Sequence, residues 1–205
     1  MKKTRTKNNW IKEHLSDKYV QKAQHEGYRS RAAYKLIEIN AKYNLVKKNN
    51  RIVDLGSAPG SWSQALSSII GESGEIFAID LLPMEEVKNT TFIQGDFQDN
   101  AILDQLELLL KNQPVDLVIS DMAPNISGNK TRDQALIIGL NELSLEFAKD
   151  WLKPKGNFLV KTFMGSGFEE FVKTMKNVFK RVIIKKPESS RDRSAEFFLI
   201  GLEKL

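Results

Sequence analysis

The chain has 205 residues, no cysteine and only two histidines, His14 and His25, so disulfides and thiolate metal sites are excluded and no metal site is expected. No apolar run approaches the roughly 20 residues of a membrane span, and the opening MKKTRTKNNW lacks the apolar core of a signal peptide, so a soluble, cytoplasmic, monomeric protein is expected. The net charge of +5 hides a polarity: residues 1 to 51 carry net +10, residues 52 to 172 net −10 and residues 173 to 193 net +6, a pattern that fits a polyanion footprint around an acidic middle.

In chain order, two helical segments, about 10–25 and 30–44, form a basic extension (residues 1–50) expected to pack on the domain that follows (51–205). From residue 51, short β-rich runs alternate with helical stretches. RIVDL (51–55) leads to a helix from about Ser61, then EIFAID (75–80), TFIQGD (91–96) and a helical segment from Ala101 to Leu110. VDLVISD (115–121) precedes a long helix from about Arg132 to Trp151, and GNFLVKTF (156–163) one from Phe168 to Phe179. RVIIKK (181–186) and AEFFLIGL (195–202) close the chain. Alternation of this kind implies parallel βαβ units in a doubly wound α/β sheet with helices on both faces. The last two runs lie too close for a crossover helix, so they should pair antiparallel at one edge.

Ligands of such a sheet bind beyond the carboxyl ends of the strands, near the switch point. The first of these ends is VDLGSAPGSWSQ, where Gly56 and Gly60 permit a sharp turn and close approach, and Ser61 with Gln64 fits a capping box. Three later strands finish on Asp80, Asp96 and Asp121, which puts three carboxylates at one rim. Each alone could start a turn or cap a helix. Asp80 stands where an acid accepts hydrogen bonds from ribose hydroxyls. The loop lacks the GxxxxGK[ST] of a phosphate cradle, and a carboxylate-rich rim repels phosphates. It suits a nucleoside with a cationic centre, such as the sulfonium of S-adenosylmethionine.

One charged residue, Lys161, sits in the apolar run NFLVKTF, where burying an unpaired ammonium costs several kcal/mol. It falls at the carboxyl end of its strand, beside the strand that ends at Asp121, so the two can meet. The last strand adds Glu196, and the basic extension adds Lys35, which shares a face with Arg31 at i, i+4. Two lysines and two acids would make a charge-balanced cluster, an arrangement that occurs both in active sites and in ion-pair networks that only fix a fold.

The stretches SDKYVQKAQHEGYRSRAAYKL, VDLGSAPGSWSQ, AIDLLPM, QGDF, SDMAPNISG, VKTF and KPESSRDRSAEFFLI, in one order from about residue 10 to 202, resemble the FtsJ-type ribosomal RNA 2′-O-methyltransferases, nearest the bacterial large-subunit methyltransferase E group. The resemblance implies a Rossmann-like S-adenosylmethionine-dependent methyltransferase fold, with a mostly parallel seven-stranded sheet and an antiparallel edge strand. It maps a catalytic tetrad onto Lys35, Asp121, Lys161 and Glu196, and cofactor contacts onto Gly60, Trp62, Asp80, Asp96 and Asp121. The implied substrate is a uridine ribose in the A-loop of 23S rRNA in the 50S subunit or its precursor. Ser57 and Ser61 stand where many members have Ala and Gly. Rival readings are a 2′-O-methyltransferase of the tRNA anticodon loop or of an mRNA cap, and a non-catalytic RNA-binding assembly factor.

Such a reaction needs a base for the 2′-hydroxyl, and Lys161 is the expected base, oriented by Asp121, with Lys35 and Glu196 supporting the ribose and Lys161. Arg29, Arg31, Lys12, Lys18 and Lys22, with Lys185, Lys186, Arg191 and Arg193, are expected to grip phosphates around the entrance. Trp62 is a candidate for stacking on the adenine, whereas Phe97 reads as core.

Overall fold

The computed structural model describes residues 16–191 and 193–205. Lys12, His14 and the first part of the expected 10–25 helix lie outside them. Helix α1 (Lys18–Glu26) starts at Asp17, whose side chain accepts from the Tyr19 amide, and stops at Gly27 in the left-handed region. Helix α2 (Ala33–Tyr43) follows, then β1 (Arg51–Leu55), α3 (Ser61–Ile70), β2 (Glu75–Asp80) and β3 (Thr90–Gln94). Helix α4 (Asn100–Leu110), β4 (Val115–Ser120), α5 (Lys130–Trp151), β5 (Leu152–Phe163), α6 (Phe168–Val178), β6 (Phe179–Lys185) and β7 (Glu196–Lys204) complete the described chain.

The seven strands form one sheet in the order β3-β2-β1-β4-β5-β7-β6. The first five are mutually parallel, and β7 runs antiparallel to both β5 and β6. The last two strands thus pair antiparallel at one edge, as their spacing requires. Strand β7 is the inner of the two, which puts Glu196 beside β5. The chain leaves β1 toward β2 and β3, then returns to β4 on the other side, so the switch point lies between β1 and β4.

Period-2 alternation splits the strand side chains between two cores. Val53, Val118, Phe158 and Val160 pack with Leu106 of α4, Leu145 of α5 and Phe171 of α6 on one face. Ile52, Ile119, Leu159 and Phe198 pack with Leu36 and Ile39 of α2 and Leu66 of α3 on the other. Each fully buried side chain of this size contributes roughly 1.5–3 kcal/mol, so burying Leu36 and Ile39 ties the basic extension to the sheet.

Two local expectations give way. Strand β5 begins at Leu152, four residues before the expected start, because the β4–β5 register shifts between Val115 and Leu117 and lets Leu152 pair with Val115 ahead of the regular ladder. The capping box at α3 does not form: Gly60, at φ 99°, is the N-cap, and Ser61 is already helical. Both side chains turn to the N-terminal extension, where Ser61 pairs with the Ser30 hydroxyl and Gln64 accepts from the Arg29 amide.

Candidate active site

The same alternation decides which polar side chains can meet. Ile52, Ala78, Ile119 and Leu159 all point to the α2/α3 face. Two residues further on stand Asp54, Asp80, Asp121 and Lys161, which continue those rows at the carboxyl end of the sheet. In the antiparallel β5–β7 pair, Lys161 lies opposite Phe198 and Phe163 opposite Glu196, so Lys161 and Glu196 are diagonal neighbours on that face. Helix α2 lies over it and supplies Lys35. The four residues expected to converge do so in two contacting pairs.

Lys161 Nζ donates to the main-chain oxygen of Asp121 at 2.6 Å and stands 2.9 Å from its Oδ1. Lys35 Nζ lies 2.6 Å from Glu196 Oε1 and above the Phe198 ring, whose centroid is 6.0 Å away. The Ser190 hydroxyl donates to the same Glu196 oxygen at 2.9 Å. Burial alone would raise the Glu196 carboxyl, but Lys35, Ser190 and Lys161 together hold it below the usual carboxylate range. The Lys161 side chain is only 11% exposed, so its ammonium has little water to replace these partners.

Next to this cluster the β1–α3 loop passes close to the segment that follows β4. A Cβ at Gly56 would meet the Met122 backbone at 2.7 Å, so glycine is required for β1 to pass the segment after Asp121. Asp80 holds the loop from the far side: one oxygen accepts from the Ala58 amide at 2.9 Å and the other from Leu82 at 2.8 Å. Each oxygen keeps a second lone pair for a ligand. The N–H groups of Ser61 and Trp62, in the first turn of α3, have no partner within the helix and point out of its N-terminus.

Asp54 is the residue that sequence reasoning passed over. It is fully buried, its Oδ2 accepts from the Ser63 hydroxyl at 2.7 Å, and its Oδ1 has no hydrogen-bond partner. Burial pushes its carboxyl up to about 7, against the Ser63 hydrogen bond and with help from Asp121 and Asp80. A signal was present in RIVDL: like Lys161, Asp54 interrupts an apolar strand. Arg29, expected to grip phosphate, instead donates its guanidinium to the carbonyls of Pro59, Glu85 and Glu86 at 2.8–2.9 Å, clamping the glycine loop to the segment after β2.

The FtsJ-like methyltransferase family matches this chain over residues 28–204. The chain belongs to that family. A protein of Chromobacterium violaceum named ribosomal RNA large subunit methyltransferase E is 52% identical over 98% of each chain. One of the same name from Methylobacillus flagellatus is 52% identical over all of this chain and 99% of its own. A solved Plasmodium falciparum structure, provisionally described as a ribosomal RNA methyltransferase, is 33% identical, with a TM-score of 0.76 over 87% of this chain and 99% of its own. Aeropyrum pernix fibrillarin, solved with S-adenosyl-L-methionine, shares the fold at a TM-score of 0.60 and 18% identity, over 85% of this chain and 75% of that one.

In this FtsJ-like methyltransferase the expected stacking of Trp62 gives way to another contact, while Phe97 is core as expected. The Trp62 indole is buried, donates to the Ala32 carbonyl at 2.8 Å and packs on Phe198, so it is not free to stack on an adenine. What position 62 offers a ligand is its backbone N–H. Phe97 is core, edge-on to Phe147. Asp96 Oδ1 accepts from the Gln98 amide at 2.9 Å, which makes it a turn residue at the rim.

Most of the expected phosphate contacts face inward. Arg31 and Arg191 both pair with Asp17, Arg31 also donates to the Ser189 carbonyl, and Lys185 lies 3.5 Å from Glu38. Lys186 donates to the Ser194 carbonyl at 2.8 Å. Lys18, Lys22 and Arg193 remain exposed, Lys22 beside Glu26.

Proposed function

We propose that this protein transfers a methyl group from S-adenosylmethionine to the ribose 2′-hydroxyl of a uridine in the A-loop of 23S rRNA, on the assembling 50S subunit. The observation that carries the chemistry is the buried Lys161 ammonium, held by Asp121 at the open rim of the sheet beside the Lys35–Glu196 pair. The rRNA substrate draws support from the names of relatives 52% identical over nearly the whole chain.

The residues at the rim fit the cofactor. Asp54 Oδ1 and Ser57 Oγ are buried oxygens without a hydrogen-bond partner just at and past the carboxyl end of β1, and Asp121 Oδ1, beyond the end of β4, is met by the Lys161 ammonium. Unpaired buried acceptors are costly, and a ligand with ammonium and sulfonium charge relieves that cost. Asp80 has lone pairs for ribose hydroxyls. Bound there, S-adenosylmethionine supplies an electrophilic methyl group and leaves as S-adenosylhomocysteine.

Lys161, as the free amine, takes the 2′-hydroxyl proton. Asp121 aims it through the main-chain and side-chain contacts, and Glu196 steadies the ammonium that results. Lys35, which contacts Glu196 and Phe198, donates to the target ribose in this reading. Holding the reacting atoms in line supplies much of the remaining acceleration.

Single-turnover methylation of 50S precursors tests the assignment. Lys161→Ala and Lys161→Arg should each lose about 10²–10⁴-fold in rate. Near-wild-type rates in both variants would remove Lys161 as the base. Offering 50S precursors, naked 23S rRNA and tRNA in parallel tests the substrate: label confined to tRNA would overturn it.

A further inference from the structure

The loops that leave β4 and β5, the strands carrying Asp121 and Lys161, each expose a large apolar side chain: Ile126 is 64% exposed and Met164 57%. Neither contributes to a core. Met164 stands three residues past Lys161 and heads a hollow of about 630 Å³ lined by residues 164–170. The hollow is held in shape. Gln134 of α5 donates to the Phe163 carbonyl at 3.1 Å, and a Cβ at Gly165 would strike the Gln134 side chain at 2.7 Å, so α5 and the loop are in close contact.

Its charge selects among the parts of a nucleotide. The N-terminus of α6 opens onto the hollow, but Glu169 and Glu170 occupy that first turn, so the partial positive charge is already met and a phosphate would be repelled. Carboxylates accept hydrogen bonds from exocyclic amines of bases. An apolar thioether beside them packs on an aromatic face.

We propose that the hollow at residues 164–170 receives a nucleobase next to the target ribose, with Met164 against the base face and Glu169 or Glu170 accepting from its exocyclic amino group. This rests on reading the site as an RNA ribose methyltransferase. The bound base leaves its own stack, which fixes the neighbouring ribose over Lys161 and gives the enzyme a base preference beside the methylated nucleotide.

The test uses an RNA fragment that the wild-type enzyme methylates, with 2-aminopurine placed on either side of the target. One of the two positions should brighten when wild-type protein binds, as the base unstacks into the hollow. Met164→Ser, and Ser166→Trp, which fills the hollow from its exposed wall, should lose that signal and raise KM for RNA roughly fivefold. Met164→Leu should restore both, and cofactor affinity measured by calorimetry should be the same in all four proteins. Wild-type signal and KM in both Met164→Ser and Ser166→Trp would overturn the proposal, as would a loss of cofactor affinity in step with the loss of RNA. A wild-type enzyme that methylates no RNA ribose would instead overturn the proposed function and this proposal with it, an outcome seen before any variant is made and so distinct from failure of the hollow alone.

Discussion

At the scale of single residues, charges inside apolar strands mark this site. Lys161 and Asp54 both break buried runs, one paired with Asp121 and the other holding only Ser63. Asp54 carries a pH signature. Its carboxyl is pushed up to about 7 in the folded protein, so the stability it contributes is complete below its unfolded pKa of about 3.9 and is lost as pH rises through 7. Between those limits the loss is about 1.4 kcal/mol per pH unit. Asp54→Asn removes the titration and keeps an acceptor for Ser63. Urea unfolding should show the variant gaining about 2 kcal/mol on wild type between pH 5 and pH 7. Parallel stability profiles for the two proteins would show that the carboxylate is accommodated in that site without cost.

At the scale of elements, helix α2 does two jobs with adjacent turns. Lys35 reaches Glu196, and Glu38, one turn on, accepts from the amides of Glu188 and Ser189 at 2.9 and 3.1 Å and from the Ser189 hydroxyl. The segment between β6 and β7 is thereby folded over the cluster, and it delivers Ser190 to Glu196. Burial raises the Glu38 carboxyl, but those amides, the hydroxyl and Lys185 outweigh it and leave it below the ordinary carboxylate range. Glu38→Ala leaves two amides unpaired and should cost about 2 kcal/mol. Amide exchange at Glu188 and Ser189 should accelerate beyond the global change. Equal protection in variant and wild type would place the restraint on this segment elsewhere.

At the scale of the whole molecule, much of the charge at the basic ends serves cohesion. Arg29 ties the extension to the glycine loop, while Arg31, Arg191 and Lys185 close ion pairs between α1, α2 and the β6–β7 segment. Lys18 and Lys22 stay on the outside of α1. The two groups should separate in binding experiments. Lys18→Gln combined with Lys22→Gln should weaken RNA binding across sequences and lower the slope of log K against log salt by about two. Arg29→Gln should leave that slope alone and weaken S-adenosylmethionine, because the Pro59 carbonyl loses its tie. An unchanged slope in the double variant would take α1 out of the RNA footprint.

The alternation of strands and helices, the glycine loop, and the polar residues near the ends of β2, β4 and β5 were legible from the amino acids alone, because hydrophobic periodicity and strand-end position are local properties. Lys161 was legible too, since a buried charge stands out against an apolar run. That Asp54, Asp80, Asp121 and Lys161 share one face, that β7 inserts beside β5 and brings Glu196 diagonal to Lys161, and that α2 covers them with Lys35 emerge only in the folded chain. Strand order and register come from pairings far apart along the chain, and no local pattern encodes them. The fates of Trp62, Arg29 and Arg31 were hidden for the same reason. An indole or a guanidinium reads alike from sequence whether it meets a ligand or a distant carbonyl, and here packing of the extension against the sheet gave each a partner inside the fold.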